Sequence, residues 1–429
     1  MLDLSRLAAQ MQGMGQQLTQ EAEAARRRGE RARRVLMEMR SRQDDWVALL
    51  DQWRDRLSFV AAEPIEPLDT RVMIEAPPLA HTVLATDGSQ ISPSHHEIAY
   101  CYLINTGRVV LHYGQGRYPL LDSVPEVVYR PEDLYVSRQW GISTEDWMGY
   151  RRTVSEAEVL AELAIAVAAE RSRPNSANSS AATLKASSKN AANKTSLKTS
   201  KKATKSEPLP LLAMVDGSLI YWFLETLPAA ARDRILPPIL AAWDRLRLTG
   251  VPMMGYLSAS RSGEALNFLR LHGCKFSEPD CPNHCPNRSD DAPCNGLRPL
   301  RDAALWEGLL QPGERGPLWR SSARILGDYG LHGVYFCYVH VGSEVARIEV
   351  PEWLVRDRAL LDRALGIMIA QVQKGQGYPV ALAEAHNQAV VRGGDRARFF
   401  LLLEREMTKA GLRNVGTSYK EARKRGSIA

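Results

Sequence analysis

Long apolar runs are missing from this chain of 429 residues. Stretches such as IAYCYLI (98–104) and LLAMV (211–215) are far shorter than the roughly 18 to 20 residues that cross a bilayer. An apolar leader is missing too. MLDLSRLAAQMQGMGQQ has an acid at position 3 and no continuous hydrophobic stretch, so no signal peptide is expected. These absences predict a soluble, cytoplasmic protein with no membrane partner. Proline is absent from the first 60 residues, which favours helix, and aromatic residues are absent from 174–206. That segment also lacks acids while holding seven lysines. Without it the net charge of +6 falls to near neutrality, so overall basicity is no argument for nucleic-acid binding. Rich in Ser, Ala, Asn and Lys, residues 173–207 cannot bury enough apolar surface to offset their ordering entropy, and a disordered insertion is expected.

Cysteine is scarce, with six in all, yet four lie within 21 residues: Cys274, Cys281, Cys285 and Cys294. Disulfides are not expected in a cytosolic protein. Four thiols in a proline-rich, polar segment (272–299) instead suggest a structural Zn²⁺, with His272 or His284 as substitute ligands. Their intervening spacings of six, three and eight residues are not CxxC pairs, so an iron–sulfur cluster or unligated thiols remain open. Cys101 and Cys337 sit in strand-like runs and read as core residues.

Residues 1–62 carry helix formers with Leu36, Met39, Trp46, Leu49, Leu50, Trp53 and Leu57 at roughly helical spacing. They predict a helical arm, one long helix or a hairpin, which packs or dimerises; its RRRGERARR stretch leaves a DNA contact open. Beyond PIEP (64–67) and APP (76–78), the order of elements is informative. A strand at 81–87 precedes two β-rich runs around Asn105-Thr106-Gly107, which read as a hairpin. An amphipathic helix (144–171), a strand (211–216), a helix interrupted at Pro237-Pro238, a strand (251–258), one or two strands within 333–351 and C-terminal helices follow. Three antiparallel strands leading into a parallel part predict an RNase H-like α/β sheet flanked by helices.

Asp-Gly-Ser stands at the end of two of these predicted strands, in TVLATDGSQ and LLAMVDGSL. Either copy alone is a strand-ending turn. Together, at neighbouring strand ends, Asp87 and Asp216 would meet in one crevice and need a divalent cation between them, Mg²⁺ or Mn²⁺ for hard oxygen donors. Glu156 shares the inward stripe of Leu160, Leu163 and Val167 and is the expected third carboxylate; pairing with Arg151 or Arg152 is the alternative, and Glu158 the fallback for a shifted helix phase. In GQGYPVALAEAHNQAVV (375–391), Pro379 fits a first helical turn and leaves Tyr378 at the entrance. His386 reads either as a core histidine or as a ligand or general acid/base.

TVLATDGSQ, the Glu156 helix, LLAMVDGSL, VPMMGYLS, VARIEVPEW and GYPVALAEAH together resemble the NurA nucleases. The resemblance covers about 80–420 and implies a NurA domain over 78–425, interrupted at 173–207 and 272–299. It implies an RNase H-like, Piwi-related nuclease that uses Mn²⁺, degrades DNA from 5′ ends and cuts single strands. In DNA end resection and break repair such enzymes act as homodimers with a HerA-type hexameric translocase, on single- and double-stranded DNA ends. Asp87, Glu156, Asp216, Tyr378 and His386 match the family's site positions, and the four carboxylate and imidazole groups among them would hold a two-metal centre. Arg347 and Glu349 fall in a segment that is structural or DNA-facing, and Arg261 joins Arg347 as a candidate DNA contact. A catalytically silent DNA-end-binding subunit, or a different RNase H-like enzyme acting on RNA or in strand transfer, are the competing readings.

Overall fold

The computed structural model describes residues 3–11, 13–93, 100–172, 209–285 and 292–411. The predicted disordered insertion lies outside the described residues. No helix among them is long and apolar enough to cross a membrane.

The arm forms three helices, α1 (Leu4–Gln10), α2 (Met14–Arg40) and α3 (Gln43–Trp53). α2 buries Gly29, Ala32, Leu36 and Met39, a spacing that keeps one helix face inward. With Leu50 and Leu57 these residues join a core shared with Phe268, Trp306, Trp319 and Phe336 of the body. The packing role expected of the arm is thus realised by its second half.

Two short strands follow, β1 (Glu63–Pro64) and β2 (Val72–Met73), and then the strands that carry the site: β3 (His81–Ile91), β4 (Tyr102–Tyr113) and β5 (Leu120–Val128). α4 (Thr144–Ser172) leads to β6 (Leu211–Asp216), and α5 (Ala229–Leu248) to β7 (Met253–Leu257). After α6 (Glu264–Arg270) come β8 (Glu314–Arg315), β9 (Trp319–Arg320), β10 (Val334–His340) and β11 (Val345–Pro351). The helices α7 (Arg358–Lys374), α8 (Val380–Ala389) and α9 (Gly393–Lys409) complete the fold.

All these strands join one mixed sheet whose central order is β11-β7-β6-β3-β4-β5. β3, β4 and β5 are antiparallel neighbours, whereas β6 runs parallel to β3 and β7 parallel to β6. Alternation fixes the layers. Leu84, Leu211 and Ala213 face α4 and α5, in a core with Leu160 and Trp243. Val83, Ala85, Leu212 and Met214 face α7 and α8, with Ile367 and Ala385.

Three local expectations are corrected. β3 does not stop at Asp87: Asp87 pairs with Gly107 in mid-strand and the ladder continues to Ile91. Asn105-Thr106-Gly107 is not a hairpin turn but the middle of β4. Gly107 stands there because a Cβ would lie 2.6 Å from the Ala389 nitrogen, so only glycine lets α8 sit on the strand. Finally, α5 runs through Pro237 and Pro238 without interruption. Ile235, Ile239 and Trp243, buried on one face, hold it against the sheet and outweigh the missing donors.

Candidate active site

The two Asp-Gly-Ser sequences occupy different geometries. At the second, β6 ends on Asp216 and the chain turns at Gly217, whose φ of +104° favours glycine. At the first, Gly88 is in extended backbone and is needed for space. A Cβ there would meet the carboxylate of Glu156 and stand 2.5 Å from Cγ of Arg152. In the alternation of β3, Gly88 follows Leu84 and Thr86, on the side of the sheet that packs against α4. A bare backbone at that point lets Glu156 reach the neighbourhood of Asp87 and Asp216. The Thr86 hydroxyl donates to the Glu156 carbonyl at 3.0 Å and fixes the height of α4 on the strand.

The two serines brace different walls. Ser89 donates to the carbonyl of Ala389, the last residue of α8, and Asn105 Nδ2 donates to the same oxygen at 2.8 Å. Those bonds satisfy a helix C-terminus that would otherwise lack partners and seat the helix carrying His386. Ser218 donates at 2.9 Å to Glu349, which also accepts from the Leu219 amide at 2.7 Å. Glu349 in turn pairs with Arg347 at 2.7 Å, and Arg347 pairs with Glu264 at 2.8 Å and donates to Ser262 at 2.7 Å. Arg347 is 1% exposed and lies over the Phe336 ring. It takes the structural of its two expected roles and presents no surface to DNA.

All five expected site residues are linked directly or electrostatically around the carboxyl end of β6. Asp87, Glu156 and Asp216 line one small cavity with Thr153, Tyr221 and Trp243. Burial lifts the Glu156 carboxyl to about 7, and the charges of Asp87 and Asp216 add to the effect against the opposing pull of Arg152. Burial also raises Asp216, while the Tyr378 hydroxyl, which donates to it, works the other way. On the far side, Nδ1 of His386 lies 2.8 Å from Oδ2 of Asp87. Its side chain is 65% exposed, which rules out the reading as a core histidine. Tyr378 packs edge-on against Tyr256, the β7 partner of Asp216.

Glu156 also meets its alternative partner, since Arg152 Nε is 3.3 Å away. Arg151 turns instead toward Glu126 at 3.8 Å. Glu158 does not line the carboxylate cavity among the described residues. No group of three or more His, Cys, Asp or Glu side chains among the described residues is arranged as a ready metal cage. The donor set nonetheless fits a divalent cation. It offers three carboxylates whose mutual repulsion raises the proton affinity of Glu156, and a cation relieves that repulsion.

The four clustered cysteines are all reduced. Cys281, Cys285 and Cys294 line one cavity. Burial raises Cys274, whose thiol accepts from the Phe276 amide; Cys294 and Cys281 stand beside it. Arg261, also on this cavity, is exposed. The sequence reading missed Gly88, Ser89, Asn105 and Gly107 as site-building residues. Their signal was the pairing of a DGS with an NTG, polar and glycine residues interrupting two apolar runs.

Residues 81–391 match the NurA domain. A crystal structure of the NurA nuclease from Sulfolobus solfataricus aligns at 10% identity and a TM-score of 0.43, covering 86% of this chain and 95% of that one. No curated protein matches. With the matched segment spanning well over half of the sequence, the chain belongs to the NurA domain family.

Proposed function

We propose that this chain is a metal-dependent DNA nuclease built on an RNase H-like sheet. The observation that carries the reading is the convergence of Asp87, Asp216 and Glu156 beside Tyr378 and His386. The strand order β5-β4-β3-β6-β7, antiparallel and then parallel, supports the fold assignment. Asp87, Asp216, Glu156 and His386 would hold Mn²⁺ or Mg²⁺. A bound pair of such ions supplies an activated water and charge stabilisation at the leaving oxygen. The chain's own groups position the reaction: Tyr378 holds the Asp216 carboxylate from one side, and His386 holds Asp87 from the other. Arg152 balances the Glu156 charge until a cation takes over. With both its strand aspartates fixed on neighbouring parallel strands, the site needs no covalent nucleophile.

Family membership supports the finer expectations: 5′-end digestion, single-strand cutting, end resection with a HerA-type translocase, and a homodimer. A structural zinc on Cys274, Cys281, Cys285 and Cys294 is a separate proposal, supported by three of these thiols, Cys281, Cys285 and Cys294, lining one cavity. Arg152 standing on Glu156 favours one second reading, a site closed by its own arginine in a silent DNA-binding subunit. Labelled single- and double-stranded DNA and RNA, incubated with Mn²⁺, Mg²⁺ or EDTA, separate these readings. The nuclease should cut DNA only with metal, and Asp87→Asn or Asp216→Asn should lose at least 10³-fold in rate, on the order of 4 kcal/mol. Cutting that survives EDTA or both substitutions overturns the metal mechanism; DNA binding with no cutting establishes the silent subunit. Metal analysis of a Cys281→Ser/Cys285→Ser variant tests the zinc, and zinc content equal to that of the unaltered protein removes that loop as its site.

A further inference from the structure

The cavity beside the cysteines, about 490 Å³, is lined by four arginines, Arg261, Arg270, Arg298 and Arg301, and by no aspartate or glutamate among the described residues. Two asparagines, Asn267 and Asn295, add polar edges. Arg270 is engaged locally: it donates to Asn267 at 3.0 Å and Asn295 at 2.6 Å and covers the Phe59 ring. Arg261, Arg298 and Arg301 are different. All three are exposed, and none is ion-paired with a carboxylate of the described residues. Elsewhere on this surface arginines routinely find acids, as Arg108 does with Asp122 at 2.6 Å and Arg358 with Glu66 at 2.6 Å. Three guanidinium groups with no acid partner among the described residues, around one concavity, form a site for an anion with several oxygens, because each presents a planar fork of donors.

Its position says which anion. The loop bearing Arg261 leaves β7 at the end where Asp216 pairs with Tyr256. Arg261 lies five positions beyond Tyr256, so the chain between them reaches at most about 18 Å. The Arg301 segment is tied to the same loop: the Asp302 amide donates to the Ser262 carbonyl at 3.0 Å, and Arg301 donates to the Arg261 carbonyl at 3.3 Å. Phosphates along one strand of a duplex repeat every ~3.4 Å, so this reach corresponds to about five nucleotides from the carboxylates. The Ser262–Arg347–Glu349–Ser218 chain makes the loop and the Asp216 turn one braced unit.

The geometry points to a phosphate-backbone track: Arg261, Arg298 and Arg301 grip the DNA strand a few nucleotides from the carboxylate cluster. This deepens the nuclease reading and rests on it for the identity of the polyanion. The cysteine-rich segment then has a purpose, since it carries Arg298 and forms the cavity wall that presents it.

Binding of a fluorescein-labelled 20-nucleotide single strand to the full-length protein in EDTA tests this without cleavage. Arg298→Ala/Arg301→Ala should weaken binding about tenfold at moderate salt and flatten the slope of log K against log salt by about 1.4, two lost contacts at ~0.7 each. Arg298→Lys/Arg301→Lys should restore most of the affinity. Arg363→Ala, an exposed arginine of α7 outside the cavity, should change affinity less than twofold. Equal behaviour of the double alanine variant and the Arg363→Ala control, with unfolding curves matched to the unaltered protein, overturns the track. Failure of the nuclease reading looks different. The unaltered protein would then bind this strand with the predicted arginine dependence and still not cut it with Mn²⁺.

Discussion

The carboxylate of Glu156 is the residue on which the site's electrostatics turn. Its folded pKa of about 7 exceeds the ordinary value of 4.5. Below about pH 4.5 it is protonated in both folded and unfolded chains, and the shift has no effect on stability. As pH rises through 4.5 to 7 the unfolded chain releases this proton first. Stability falls across that window, and the full penalty is present above pH 7. Glu156→Gln in metal-free protein should therefore be more stable than the unaltered protein at pH 8 by about 1–3 kcal/mol, and indistinguishable at pH 4. Urea unfolding at the two pH values checks the sign; a variant less stable at pH 8 would show that the Arg152 pair outweighs the repulsion. Gly88 gives the steric counterpart. Gly88→Ala drives a methyl into Glu156 and Arg152 and should cost about 1–3 kcal/mol by overpacking. Gly217→Ala meets no atom, and its cost, about 1–2 kcal/mol, is backbone strain alone.

At the scale of elements, the seating of α8 sets where His386 stands. It holds His386 over Asp87 through two bonds to the Ala389 carbonyl and one close backbone approach at Gly107. Asn105→Ala should cost about 1–2 kcal/mol, since it strips a buried partner from a helix end. Ser89→Ala/Asn105→Ala should cost more than either change alone, because the carbonyl is then orphaned. Hydrogen exchange should quicken at 380–390 and stay slow in β6 and β7; uniform acceleration would mean that α8 is not an independent element. This helix also shows what the sequence could and could not disclose. The inward stripe of α4 was legible because helical periodicity places side chains by phase, whereas phase alone put His386 on an apolar stripe, and the family resemblance is what joined it and Tyr378 to the site. The roles of Gly88 and Gly107 were not legible. An extended glycine that makes room for a side chain from a distant helix has the same local signature as a turn glycine, and only tertiary packing separates them. The same ambiguity turned a mid-strand Asn-Thr-Gly into an expected hairpin. Arg347 was half legible: its apolar neighbours indicated a strand and Glu349 stands two residues on, on the same face, but nothing local showed the second acid that encloses it, Glu264.

At the scale of the molecule, the question is whether the N-terminal arm is an appendage or a part of the core. Its proline-free, charged sequence reads as a separate unit that ends near residue 62. The packing divides it differently. Leu4, Leu7, Met11, Met14 and Leu18 are exposed, whereas Ala32, Leu36, Met39 and Leu50 are almost wholly buried in one core with Trp306 and Phe268, and Trp53 is buried as well. Removing a buried Leu or Trp side chain costs about 2–5 kcal/mol, and whole-domain stability is typically about 5–15 kcal/mol. Losing five such residues together therefore exceeds what the fold can tolerate. Deleting residues 1–22 should leave the thermal midpoint within about 1–2 °C, a change on the order of 1 kcal/mol at this chain length. Deleting residues 1–56 should yield protein that is insoluble or lacks a cooperative transition. Thermal unfolding of both truncations decides between the two descriptions. A chain beginning at residue 57 that melts where the full protein melts would make the arm an appendage after all, and would require the exposed Trp306–Phe268 face to find another cover.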